Sequence, residues 1–172
     1  SKADLLAGAG GLVTDEAQSD HQGRKALLLV RNNEDCDEFI ALAKTMGINI
    51  VDRVDQRGRS DAKWFMGQGK LQDVTEELRS ASHGHPWNDV DLLLLHTNAT
   101  PRQLVGVNDA VGIEVWDRVR LLLALFTAHA SSVEARTQVR IARLQSDRTV
   151  LREVVKQQTT GERAGYGGAG QT

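Results

Sequence analysis

Arginines in the last third of the chain are the residues best placed to do chemistry. Arg136, Arg140 and Arg143 fall at i, i+4 and i+7, within a narrow arc of one helical face. Arg148, Arg152 and Lys156 make a second row on a different side. Between the rows runs an apolar seam of Ile141, Leu144, Leu151 and Val155, with Arg148 at the seam position in its gap. That spacing is heptad-like and suits packing on another helix. Two readings fit these residues. One is a solvated helix with scattered ion pairs. The other is an arm that pairs with a second helix and presents its six cations to RNA phosphates. Arginine outnumbers lysine here, and its planar fork suits phosphate, which favours the RNA-binding reading.

Other clusters carry weaker chemistry. Gly67-Gln68-Gly69-Lys70 opens an expected helix, where free amides and the helix dipole could bind a phosphate through Gly67, Gly69 and Lys70. A tight turn explains the same glycines. The glycine cluster Gly165–Gly170 has no Gly-Lys-Ser/Thr step and is not a P-loop. His83 and His85 flank Gly84 beside Pro86, too few ligands for a metal and typical of a polar surface turn. No Ser/His/Asp set or carboxylate pair stands out as catalytic.

Charge placement singles out the same third of the chain. Net charge over 172 residues is only −2. From Arg118 onward there are nine basic and four acidic residues, against twelve and nineteen before it. The carboxy-terminal part is the one suited to meet a polyanion. Hydrophobic residues make up 40% and aromatics 4%, so the core must be built from Leu, Val, Ile and Ala. Cys36 is the single cysteine and has no internal disulfide partner, which suits a reducing cytoplasm. The longest apolar run, Leu121–Phe126, is far short of the ~20 residues a membrane span needs. No secretory signal is visible in the first twenty residues. A cytoplasmic protein is expected.

The elements that must position these residues alternate. Residues 1–23 read as a flexible lead-in. Ala26–Val30 is a buried strand, Asp35–Met46 a helix ended by Gly47, and Ile48–Val54 a second strand. Gly67–Ala81 follows as a helix and Val90–Leu95 as a strand. Pro101–Val111 is a helix closed at Gly112, and Ile113–Trp116 a fourth strand. The fold class is therefore α/β: a small parallel four-stranded sheet with flanking helices over residues 24–130. A long, partly projecting helical arm follows over 131–160, and a glycine-rich loop over 161–172. Residues 117–160 contain no glycine or proline. As one helix they would run roughly 66 Å. Ser131 and Glu134 have capping-box spacing, so a second helix starting there is the alternative. Val119–Phe126 is apolar nearly all round and is expected to be buried.

Four segments together resemble the HflX-type GTPase family. Phe65-Met66-Gly67-Gln68-Gly69-Lys70 is similar to the family's (F/Y)-V-G-x-G-K. Asn98-Ala99-Thr100-Pro101-Arg102-Gln103-Leu104 resembles its x-L-S-P-x-Q-x, and Val115-Trp116-Asp117-Arg118 with the leucines after it its V-x-D-R-T-x-L-I-L-D-I-F. Glu134–Leu144 is similar to E-A-K-L-Q-V-E-L-A-Q-L, with Arg140 in place of the family's Glu and Arg143 in place of its Gln. The family's glycine-rich loop is matched only loosely by Gly161–Thr172.

The resemblance implies an amino-terminal domain plus the first helix of a two-helix linker, ahead of a GTPase domain. It implies a parent that binds GTP and Mg²⁺ and associates with the large ribosomal subunit and its rRNA. It implies no catalysis or cofactor in this chain, and gives the seam a partner in the second linker helix. Two other classes stay open: an ATP- or GTP-binding α/β domain using Gly67–Lys70, and a module that dimerises through its seam.

Overall fold

The computed structural model describes residues 21–130 and 133–166. Four parallel strands, β1 (Lys25–Arg31), β2 (Asn49–Gln56), β3 (Val90–Leu95) and β4 (Glu114–Trp116), form one sheet in the order β2-β1-β3-β4. The connecting helices are α1 (Asp37–Thr45), α2 (Gln68–Ser80) and α3 (Pro101–Val111), and α4 (Arg118–His129) and α5 (Val133–Tyr166) follow. The lead-in up to residue 20, Ser131 of the expected capping box and residues 167–172 lie outside the described residues.

Strand side chains alternate between two faces, so the sheet has a core on each side. Leu27, Leu29, Leu93 and Leu95 face one, with Leu71 and Val74 of α2 and Leu104 and Val107 of α3. Ala26, Leu28, Val30, Leu92 and Leu94 face the other, with Phe39 and Ala43 of α1 and Leu121 of α4. Helix α1 covers one face while α2 and α3 cover the opposite one. Crossovers of a single hand require this when the chain leaves β1 one way and returns past it the other.

Local signals explain most boundaries. Thr100 and Gln103 form a reciprocal capping box with Pro101 at the first helical position, and Gly112 closes α3 at φ 80°. Gly47 follows α1 at φ 76°, and Gly23 N donates to its carbonyl at 2.8 Å.

Of the two alternatives for residues 117–160, the structure has two helices, because Ala130 turns to an extended conformation (φ −69°, ψ 109°). The arm departs from expectation in two ways. First, α5 does not stop at Gly161 but runs to Tyr166. An interior glycine costs a helix only about 1 kcal/mol, which its neighbours can offset. Second, Val119–Phe126 is not buried all round. Only Arg120 and Leu121 are buried on α4, while Val119 is 41% and Phe126 55% exposed. The helix packs on the sheet and α1 along one side and on α5 along another, and the described residues leave Val119 and Phe126 uncovered.

Candidate functional site

Helix α5 touches the body through one narrow stripe, Asp147, Val150 and Val154, which are all buried. The two valines join the core that α3 covers. Asp147 receives a hydrogen bond from Arg120 Nη1, deep between α4 and α5. Asp117 fixes the start of α4. Its Oδ1 accepts from Arg120 N at 2.9 Å, and its Oδ2 accepts from Ala99 N at 2.9 Å, which ties α4 to the loop before α3. Burial pushes the Asp117 carboxyl up, against the pull of these amides.

This docking sorts the six expected RNA-binding cations. Arg136, Arg140, Arg148, Arg152 and Lys156 are exposed, and Arg143 is half-buried. Arg143 lies in the field of both Asp147 and Arg120, and desolvation lowers its affinity for a proton. The structure therefore places Arg143 against the body and the other five in solvent. The seam is open along most of its length: Ile141, Leu144 and Val155 are exposed, and Leu151 is half-buried. Residues 158–161 are exposed on every side, so that turn projects clear of the body.

Gly67, Gly69 and Lys70 stand at the start of α2, as expected. The Gly67 amide is already engaged, since it donates to Gln56 Oε1 at 2.7 Å. A Cβ at Gly67 would lie 2.9 Å from Gln56 Nε2, so this glycine permits a close approach of the β2 end. Gly69 is exposed and Lys70 half-buried. His85 takes a structural role: its Nδ1 accepts from Trp87 N at 2.9 Å and its Nε2 lies 3.3 Å from Glu77. Among the described residues no group of three His, Cys, Asp or Glu could hold a metal ion.

A polar cluster at the carboxyl ends of the strands was missed. Arg118 Nη2 lies 3.1 Å from His96 Nε2, and His96 Nδ1 3.0 Å from Glu34 Oε2. A guanidinium can only donate, so Nε2 is the bare ring nitrogen and Nδ1–H donates to Glu34. Next to it, buried Arg31 at the end of β1 donates to Gln56 Oε1, and its Nη2 donates to the carbonyls of Arg59 (2.6 Å) and Arg57 (3.4 Å). One signal was available: His96 directly follows a continuous buried strand, at the sheet edge where α/β proteins gather polar side chains. On the flank of the body, a groove of about 570 Å³ between α2 and α3 carries two cations, Lys63 and Arg79, and two acids, Glu76 and Asp109.

With this geometry the chain can be set beside known proteins. A family model described as GTP-binding GTPase N-terminal matches residues 33–127, more than half of the chain. The GTPase HflX of Hyperthermus butylicus is 30% identical over 133 residues, 77% of this chain and 34% of that protein. The GTPase HflX of Thermococcus kodakarensis is 28% identical over 134 residues, 78% of this chain and 29% of that protein. The chain thus spans about a third of the curated relatives it matches. A GTP-binding protein from Sulfolobus solfataricus, crystallised with GDP, shares the fold with a TM-score of 0.61 at 23% identity, over 81% of this chain and 42% of that one. Among the described residues no helix is long and apolar enough to cross a membrane. The chain belongs to the GTP-binding GTPase N-terminal family, and its body is an HflX-type amino-terminal domain.

Proposed function

We propose that this chain is the ribosome-facing regulatory part of a longer HflX-like GTP-binding protein and acts in the cytoplasm. It binds the large ribosomal subunit through rRNA and performs no hydrolysis itself. The observation that supports this reading best is the arm: a helix docked by one buried stripe that leaves Arg136, Arg140, Arg148, Arg152 and Lys156 in solvent. Exposed cations on a rigid helix suit phosphate contact because their backbone is already ordered.

GTP and Mg²⁺ belong to the parent's GTPase domain in this reading. At the start of α2, the Gly67 amide that a phosphate could have used is engaged by Gln56. The open seam of Ile141, Leu144, Leu151 and Val155 receives the second linker helix. Co-sedimentation with purified large ribosomal subunits tests the proposal. Replacing Arg136, Arg148, Arg152 and Lys156 by Glu is expected to abolish co-sedimentation without changing Tm. Unchanged co-sedimentation would remove the arm from the binding surface. Arg143 is left intact because a carboxylate there would face Asp147.

A further inference from the structure

A set of side-chain-to-backbone hydrogen bonds clamps an exposed loop after β2. Arg57, Gly58, Arg59 and Ser60 follow β2, and all four are exposed. Beneath them, Arg31 Nη2 donates to the Arg57 and Arg59 carbonyls. Asn32 grips the residue between: its Nδ2 donates to Gly58 O at 3.0 Å, and Gly58 N donates back to Asn32 Oδ1 at 2.8 Å. Gly58 sits at φ 107°, which a residue with a side chain rarely adopts. From the other side Gln103 Nε2 donates to Ser60 Oγ at 3.1 Å and to Asp61 O at 2.8 Å. Arg102, exposed and one residue before Gln103, completes the group, and both it and Arg31 act electrostatically on Asp61.

The electrostatics of this loop are lopsided. Neither Arg57, Arg59 nor Arg102 has an ion-pair partner among the described residues, whereas exposed Arg53 is neutralised by Asp55 at 2.9 Å. Buried Arg31 is held through Nη1 and Nη2 by amide and carbonyl oxygens rather than by a carboxylate, and its Nε has no partner, so its charge adds to the field above it. None of the exposed large hydrophobic residues lies in the loop, so it lacks the apolar centre that protein interfaces are built around. What remains is a set of exposed guanidinium groups carried on an ordered backbone, a chemistry that suits anionic oxygens.

We propose that the Arg57–Ser60 loop, together with Arg102, is a second polyanion-binding surface, on the body rather than the arm, that grips the phosphodiester backbone of RNA. The choice of RNA as the polyanion rests on the functional reading above, while the surface itself rests on the clamp and the unpaired charge. Because folding has already ordered the loop, binding loses little backbone entropy there.

The test uses the whole chain, purified large ribosomal subunits and, separately, protein-free rRNA from those subunits. Arg57→Gln with Arg59→Gln is expected to weaken binding to both by at least about tenfold. It should also lower the slope of log K against log salt by about 1.4–1.8, the share of two phosphate contacts. Asn32→Gly keeps every charge and the left-handed backbone but releases Gly58, so it should weaken binding with the slope unchanged. Identical affinity and slope in the double variant would overturn the proposal. So would binding lost to subunits but retained on bare rRNA, which would assign an acidic protein as the partner. If the loop variant binds normally while the arm variant fails, this surface falls and the arm reading stands. If the loop variant fails and the arm variant does not, the surface stands and the arm reading falls.

Discussion

Arg120 and Asp147, 27 positions apart, form a buried ion pair that fastens α5 to α4. The pair also reaches the loop before α3, since Arg120 N and Ala99 N share the Asp117 carboxylate. Arm orientation therefore depends on a charge pair inside an otherwise apolar joint. Arg143 lies close enough to feel both partners.

That neighbour makes the joint asymmetric to mutation. Asp147→Ala leaves Arg120 buried with Arg143 beside it, and is expected to cost about 3–5 kcal/mol, the range for an orphaned buried charge. Arg120→Met leaves Asp147 with Arg143 as a substitute partner and should cost distinctly less. Urea denaturation of the two single variants checks the order. Equal losses would mean Arg143 does not approach Asp147 in solution.

Gly106 is the second weak point. A Cβ there would stand 2.1 Å from the carbonyl oxygen of Lys63, so α3 and the loop after β2 touch backbone to backbone. Gly106→Ala gains up to about 1 kcal/mol of helix propensity. It should still destabilise the chain by about 1–3 kcal/mol net, because backbone cannot yield as a side chain can. Chemical denaturation gives the value, and tryptic cleavage at Arg59 or Lys63 should accelerate as the loop lifts.

Acid stability should carry two opposite signatures. Amides of Trp64 and Lys63 hold the Asp61 carboxyl below its ordinary value, so its contribution is present above the unfolded pKa of 3.8 and lost as pH falls through the folded one. Burial raises Asp117, so its contribution is full below its unfolded pKa and lost as pH rises through the folded one. Asp61→Asn should shrink the stability difference between pH 7 and pH 3, and Asp117→Asn should enlarge it. Urea midpoints at the two pH values measure both.

The two apolar stripes of α5 should respond differently. Val150→Ala or Val154→Ala is expected to cost up to about 1.5–3 kcal/mol, because both side chains are buried in the core under α3. Gln at Ile141, Leu144 and Val155 should change stability by less than about 0.5 kcal/mol each, as exposed positions do. Thermal melting of the chain compares the sets.

How much of this was legible depends on sequence distance. Pro101, Gly112 and Gly47 marked helix ends by local backbone demands, and period-free apolar runs such as Val90–Leu95 marked buried strands. The four-stranded α/β body followed from their alternation. What stayed hidden spans elements: Glu34 meets His96 across 62 positions, and Arg31 meets Arg59 across 28, through a strand order that no local pattern encodes. Arg120 gave a signal that went unused, since an arginine inside an apolar run demands a partner. Val119 and Phe126 misled because hydrophobicity states what a side chain favours, not whether the fold supplies a surface to cover it.

The salt dependence of binding to large ribosomal subunits tests the central claim most directly. If Arg136, Arg148, Arg152 and Lys156 meet rRNA phosphates, neutralising them with Gln should make the slope of log K against log salt shallower by about three. A slope equal to that of the native chain would contradict the account.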